Sequence, residues 1–239
     1  MSAESTNSET NDLLEFLELF PPAIKNNTKI LGNGVDLNYT FHISTNPKIK
    51  LFTPSISQRT MNKEDRSVPR ISTAKTLNGC IGGYVALLYD FEAMDDKDWN
   101  GGWKIYALPY VHALQPNKNI LGDAEQTEEV WLVGYNKSHR TYPALIAGEM
   151  FVMSMAIVVD PDVKYHRKTV VTMYVRVADG YQLPLNKQVV LRSGYYHLTY
   201  NDYYTAVDVR NPQDIIVRPV SAGEYNTKKK IGSANLSYQ

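Results

Sequence analysis

The chain carries one cysteine, Cys80, in 239 residues. A single thiol excludes an internal disulfide and any cysteine-based zinc site, and a reduced setting is expected. Excess charge of either sign is also missing: 25 Lys+Arg stand against 25 Asp+Glu, a formal net charge of zero. A protein that holds nucleic acid by its phosphates normally has a basic surplus, and the basic run here is short, Lys228-Lys229-Lys230. General nucleic-acid binding is therefore not expected. Long apolar runs are lacking too. Ala144 to Val159 is shorter than the roughly 18 residues of a membrane span and is interrupted by Glu149, so it reads as buried core. No charged-then-apolar leader opens the sequence, and a cytoplasmic or virion-associated protein is expected rather than one secreted through a signal peptide.

The common catalytic signatures are missing as well. There is no Gly-x-Ser-x-Gly elbow, and Gly79, Gly82 and Gly83 match neither the phosphate loop nor the dinucleotide fingerprint. His42, His112, His139, His166 and His197 stand singly, without helical i,i+4 partners, and no metal is expected. The acidic stretch Asp90 to Asp98 lacks the glycine and terminal glutamate of a calcium loop and reads as solvated surface.

What is present is a chain that folds. Hydrophobic residues make up 43%, charged residues only 21%, and there are 17 tyrosines, too much apolar and aromatic surface for disorder. The first ten residues read as a tail. Asn11-Asp12 caps an expected short helix carrying Leu13, Leu14, Phe16, Leu17, Leu19 and Phe20, stopped by Pro21-Pro22. Such a stripe needs a docking site, and a protein partner or homo-oligomer through this helix is one expectation. From residue 28 the pattern turns to strands, at 29–31, 36–44, 50–52, 70–73, 103–108, 129–133, 150–159, 169–177, 188–192, 195–200, 203–209 and 215–220. Asn33-Gly34 reads as a hairpin turn, residues 55–70 as a long polar loop, and residues 74–88 as a helix capped near Thr73 or Thr76. Three glycines make that helix poor on propensity, which implies a close approach to its backbone. The expected fold is α+β and β-rich, with a split or two-sheet core, one internal helix and a short N-terminal helix. Its expected parts are a tail and docking helix over 1–27, a core over 28–160, and a β-rich part over 161–239 that completes the core or forms a small subdomain.

Three segments carry chemistry-bearing residues in order. Thr40-Phe41-His42-Ile43-Ser44 lies on an early strand. Pro69-Arg70-Ile71-Ser72-Thr73-Ala74 leads into Asn78-Gly79-Cys80-Ile81-Gly82-Gly83-Tyr84-Val85 on the helix, and Glu125-Gln126-Thr127-Glu128-Glu129-Val130-Trp131-Leu132-Val133 opens a later strand. This order resembles the ADP-ribosyltransferase superfamily of the His-Tyr-Glu type, over roughly residues 38 to 135, as in a phage-encoded member. The resemblance implies an NAD cleft and transfer of ADP-ribose to an acceptor, or NAD hydrolysis. It implies Glu129 as the carboxylate facing the oxocarbenium-like ribose, or Glu128 if the strand register shifts, because neighbouring strand residues face opposite ways. His42, Ser44, Tyr84 and Arg70 are the implied cofactor-binding residues, and Gln126 and Thr127 the acceptor-positioning ones. The strand Ile71-Ser72-Thr73 lacks the second aromatic usual in that family. A degenerate site is thus a variant of this reading, since a fold does not carry function with it.

Two other functions compete. Neutral charge, a Tyr-rich final third and the apolar N-terminal stripe fit a non-enzymatic structural or interaction protein of a viral (phage) particle. An all-β carbohydrate-binding module would use Tyr195, Tyr196, Tyr200, Tyr203 and Tyr204 as exposed platforms.

Overall fold

The computed structural model describes residues 18, 20–33, 36–56, 67–88, 102–134, 141–159, 167–204 and 210–236. The long β-branched and tyrosine-rich runs pair side by side into one ten-stranded antiparallel sheet. In chain order its strands are β1 (Thr28–Leu31), β2 (Asn38–Ser44), β4 (Arg70–Ala74), β5 (Gly102–Tyr110), β6 (Ala113–Pro116), β7 (Glu129–Val133), β9 (Leu145–Val159), β10 (Arg167–Val177), β13 (Gly194–Tyr204) and β14 (Arg210–Val220). Two small sheets accompany it: β3 (Leu51–Phe52) with β8 (Tyr142–Pro143), and β11 (Leu183–Pro184) with β12 (Val190–Leu191). The helices are α1 (Pro22–Lys25), α2 (Leu77–Leu88), α3 (Ala124–Thr127) and α4 (Ala222–Leu236).

The sheet order is β1-β6-β7-β4-β2-β5-β9-β10-β13-β14. The expected split core is present only as a seam. β2 meets β5 along seven residue pairs but meets β4 at one, Phe41 with Ala74. The Thr40 hydroxyl donates to the Ala74 carbonyl (2.7 Å) and reinforces that pair. Beyond it the strands part, and His42 replaces the ladder by donating from Nδ1 to the Ser72 carbonyl (3.0 Å). Strands β10, β13 and β14 continue the same sheet, and Val171, Met173, Leu198 and Tyr200 share one core with Phe41 and Trp103.

One face of the sheet carries Phe41, Ala74, Trp103, Ile105 and Met173, covered by α2 and by Leu183, Leu185 and Leu191 of the loop that holds β11 and β12. We call it the helix face. The opposite face carries Ile71, Tyr106, Leu108, Val130 and Leu132 and is covered by the chain around Ile49, Phe52 and Tyr142. Farther along that opposite face, Tyr225 of α4 packs on Phe151 and Tyr174. At the β7 end of the helix face, Phe20 and Ile24 pack with Trp131, Val133 and Leu114. Phe20, the last residue of the apolar stripe, is thus buried in its own chain. The rest of the expected N-terminal helix falls outside the described residues apart from Glu18, as do residues 57–66 of the long loop and 90–98 of the acidic stretch.

Asn33 does not turn a hairpin. β1 pairs with β6 and β2 with β4 and β5, so the two strands flanking it are not neighbours. The physical reason is local: Asn33 Oδ1 accepts from the Asp36 amide (2.9 Å) and its Nδ2 donates to the Asp36 carboxylate (2.7 Å), redirecting the chain without pairing its arms. The expected strands at 195–200 and 203–209 are one strand as far as Tyr204, kept continuous against β14 by a register irregularity between Asn201 and Tyr203.

Candidate functional site

The helix α2 starts where Thr76 caps it, its hydroxyl accepting from the Gly79 amide (3.1 Å) and donating to Glu128 Oε2 (2.6 Å). Glu128 ends α3 in the left-handed region, φ 47°. Its carboxylate lies at the N-terminal end of α2, where the helix dipole favours negative charge. Its carbonyl accepts from the Lys75 amide (3.3 Å). Glu128 is thus committed to joining α3 to α2. Gly79 shows why that helix tolerates glycine: a Cβ there would stand 2.2 Å from the Thr127 carbonyl oxygen. The close approach expected at the glycines comes from α3, with the Thr127 methyl also 3.7 Å from a Cβ at Gly83. Thr127 is buried, its hydroxyl on the Asp123 carbonyl (3.1 Å), and serves the helix turn.

Glu129 opens β7, opposite Ala74 on β4, which in turn stands opposite Phe41 on β2. This row lies on the helix face. His42, next to Phe41, points to the opposite face by strand alternation, in register with Tyr106. Ser44 shares the side of His42. The structure therefore separates His42 and Ser44 from Glu129 by the thickness of the sheet, and these residues do not line one cleft. His42 is half-buried with its ring edge-on to Phe52 at 5.0 Å, and Phe52 is edge-on to Tyr106 at 5.5 Å. Burial pushes its pKa down, only partly countered by the bond to Ser72. A carbonyl can only accept, so Nδ1 carries the proton of the neutral ring. The side chains of Tyr84 and Gln126 lie outside the described residues.

A different group converges on the helix face. Trp131 follows Glu129 by two residues and donates from Nε1 to Glu129 Oε1 (2.8 Å). The Arg70 guanidinium stacks over the Trp131 ring, 4.1 Å from its centroid. Arg70 is buried, and its strand edge is tied to Ser55 by two backbone bonds of 3.2 and 3.0 Å. Ser72, directly opposite Trp131, stays exposed between Arg70 and Ala74 on the same face. One face thus gathers a half-buried carboxylate, a stacked guanidinium and an open hydroxyl. Of the residues expected from sequence, Glu129 and Arg70 belong to it. Ser72 and Trp131 were missed, although the period of two along Arg70-Ile71-Ser72 and Glu129-Val130-Trp131 places them on the faces of Arg70 and Glu129.

Cys80 is buried under β2, 3.3 Å from the Phe41 carbonyl, and burial pushes its pKa up to about 12. Among the described residues no group of three or more potential metal ligands comes together, and no helix is long and apolar enough to cross a membrane. Tyr200 is fully buried and Tyr195 packs on Tyr225 at 5.0 Å, so these two do not form the platforms of a carbohydrate module. Comparison of the chain with family models, curated proteins and solved structures finds no match.

Proposed function

We propose that the chain binds NAD on the helix face of β4 and β7, with chemistry of the ADP-ribosyltransferase kind centred on Glu129. The observation that carries this reading is the line Glu129, Trp131, Arg70: a half-buried carboxylate oriented by an indole N–H, with a guanidinium held against the same ring. The donor set fits the ligand. Cleavage of the nicotinamide–ribose bond sends the bonding pair out with nicotinamide and builds positive charge on the ribose, which a fixed carboxylate in a low-dielectric setting stabilises. The exposed Ser72 hydroxyl suits a ribose or amide group, and Arg70 supplies positive potential toward the pyrophosphate. An acceptor nucleophile or water then takes the ribosyl carbon. In this reading His42 serves the sheet seam, the Ser44 hydroxyl accepts from the Asn46 amide (3.2 Å) at the end of β2, and Glu128 and Thr127 serve the α2–α3 junction.

The competing reading is a structural component of a viral particle. It is favoured by Ile216, 63% exposed on β14, the last strand of the sheet order. Calorimetric titration with NAD up to millimolar concentration, with sedimentation at rising protein concentration, separates the two. Heat of binding on a non-assembling protein supports the NAD reading. Assembly without NAD heat supports the particle reading and removes the first.

A further inference from the structure

The ten-stranded sheet ends on a bare strand. β14 is last in the sheet order, and among the described residues no strand pairs with its outer edge. Its middle, Ile215-Ile216-Val217, is β-branched throughout and is bounded by Pro212 and Pro219. On the helix face Ile215 and Val217 stand opposite Tyr200 and Leu198 of β13, half-buried at the margin of that core. On the other face Ile216, opposite Thr199, is 63% exposed. An unpaired edge is a template for a further strand, and natural sheets often blunt it with charge along the strand. The three central residues of β14 carry none.

Backbone geometry narrows the strand that fits this edge. A proline within a sheet sits where its nitrogen faces the open side. Pro219, opposite Tyr196, therefore puts the outward backbone groups at Ile215 and Val217, with the Pro219 carbonyl beyond them. A second copy pairing antiparallel through the same edge must set outward groups against outward groups, so its two-fold axis passes through a residue and not between two. An axis at Ile215 sets Ile216 against Asp214. An axis at Val217 sets Ile216 against Arg218, and Ile215 against Pro219, which has no N–H to give. An axis at Ile216 sets that residue against itself, Ile215 against Val217 and Asp214 against Arg218. Apolar then meets apolar on both faces, and Ile215 and Val217 exchange both backbone bonds with the other copy. Arg218 already pairs with Glu224 at 2.7 Å, so the apolar match and the backbone bonds hold this register. The opposite sheet edge does not compete, because β1 has only four residues and a β14-to-β1 contact would run head-to-tail without closing. A formal net charge of zero leaves no net repulsion between copies.

We infer that β14 is the interface of a homodimer, two copies pairing antiparallel about a two-fold axis at Ile216 into one continuous sheet. The dimer does not rest on the NAD reading, whose strand β4 stands six places from β14 in the sheet order. It also differs from a particle contact, because a two-fold pairing closes at two copies. The first test is sedimentation equilibrium of the full chain from about 1 to 200 μM, a range suited to the micromolar affinity of a small contact. The wild-type mass rises from 27.1 kDa and levels at 2 × 27.1 = 54.2 kDa. Ile216→Lys sets two like charges against each other at the axis and raises the dissociation constant at least about tenfold. Position 216 is exposed in the single chain, so the melting temperature of this variant at the lowest concentration matches the wild type. The second test reads the axis itself. In Ile216→Cys the two thiols meet at a pair with Cα atoms about 4.5 Å apart, within disulfide reach, and mild oxidation yields a covalent dimer. Val190→Cys, at a position 49% exposed on β12, does not cross-link, and the buried Cys80 takes no part. A wild type that stays at 27.1 kDa, growth past two copies, an unchanged mass profile in Ile216→Lys, or equal cross-linking of the two cysteine variants overturns the inference.

Discussion

Replacing Glu149 by Gln removes the carboxylate that ties α4 to the sheet, and its effect depends on pH in a defined direction. Burial by itself raises the pKa of this group. Hydrogen bonds and charge from Lys104 and Lys229 outweigh that and hold it at about 2, against an ordinary 4.5. A folded-state pKa below the unfolded one stabilises the fold fully above the unfolded value and loses that contribution as pH falls through the folded value. The window is therefore pH 4.5 down to about 2. A gap of 4.5 − 2, about 2.5 units, corresponds to roughly 3 kcal/mol at 1.36 kcal/mol per unit. Because Lys104 and Lys229 are 29% and 46% exposed, solvent screening reduces this to about 1–2 kcal/mol. In urea unfolding followed by tryptophan emission, Glu149→Gln should lower the midpoint at pH 7 by about 0.5 M, taking m near 3 kcal/mol/M. The two proteins should converge as pH approaches 2. A gap that stays constant from pH 7 to pH 2.5 would refute the assignment of this stability to an ionised carboxylate.

Gly79→Ala places a methyl 2.2 Å from the Thr127 carbonyl and should cost about 2–3 kcal/mol in the same urea assay, whereas Gly122→Ala, with nothing within 4 Å, should stay within about 0.5 kcal/mol. Equal effects at the two positions would remove close α2–α3 packing as the reason for glycine at 79. Cys80, its pKa pushed up to about 12 by burial, should not react with Ellman's reagent at pH 8 over minutes in the native protein and should release one equivalent once denatured. Rapid native labelling would place the thiol outside the core.

The strands were legible where residue type and length agreed. The run Thr169 to Val177, β-branched and aromatic, falls within β10, and Glu129 to Val133 is β7 as read. Residue chemistry offered Thr73 or Thr76 as the cap of α2; the structure uses Thr76, whose hydroxyl accepts from the Gly79 amide, while the Thr73 hydroxyl donates to the Val130 carbonyl. Helix α4 was not read. Its two glycines and three successive lysines leave no apolar stripe, and it is held instead by one buried tyrosine, by the Arg218–Glu224 pair and by the pair of Lys229 with Glu149, which lies 80 positions away in sequence. A signal was present nonetheless, because Ser221 and Glu224 have the spacing of a capping box and the Glu224 amide donates to Ser221 Oγ (3.0 Å). The strand pairing was beyond reach for a related reason. Asn33-Gly34 has the residues of a hairpin, yet non-local partners decide which strands lie side by side, and β1 sits four places from β2.

The candidate site was legible residue by residue and not as an assembly. Glu129 and Arg70 were named from sequence, but their grouping with His42 assumed one face. Alternation fixes which residues of a single strand share a face, but only the register between β2, β4 and β7 shows that Phe41, not His42, lies in line with Glu129. That register comes from the Phe41–Ala74 pair and the Thr40 hydroxyl, a contact between residues 34 positions apart that no local pattern encodes.

The measurement that bears most directly on the account is NAD binding and nicotinamide release compared among the wild type, Glu129→Gln and His42→Gln. A site on the helix face predicts that Glu129→Gln abolishes release and weakens binding, while His42→Gln leaves both within about twofold, because its ring faces the other side of the sheet. Loss of binding in His42→Gln with Glu129→Gln unaffected would contradict it, as would the absence of any NAD binding by the wild-type protein.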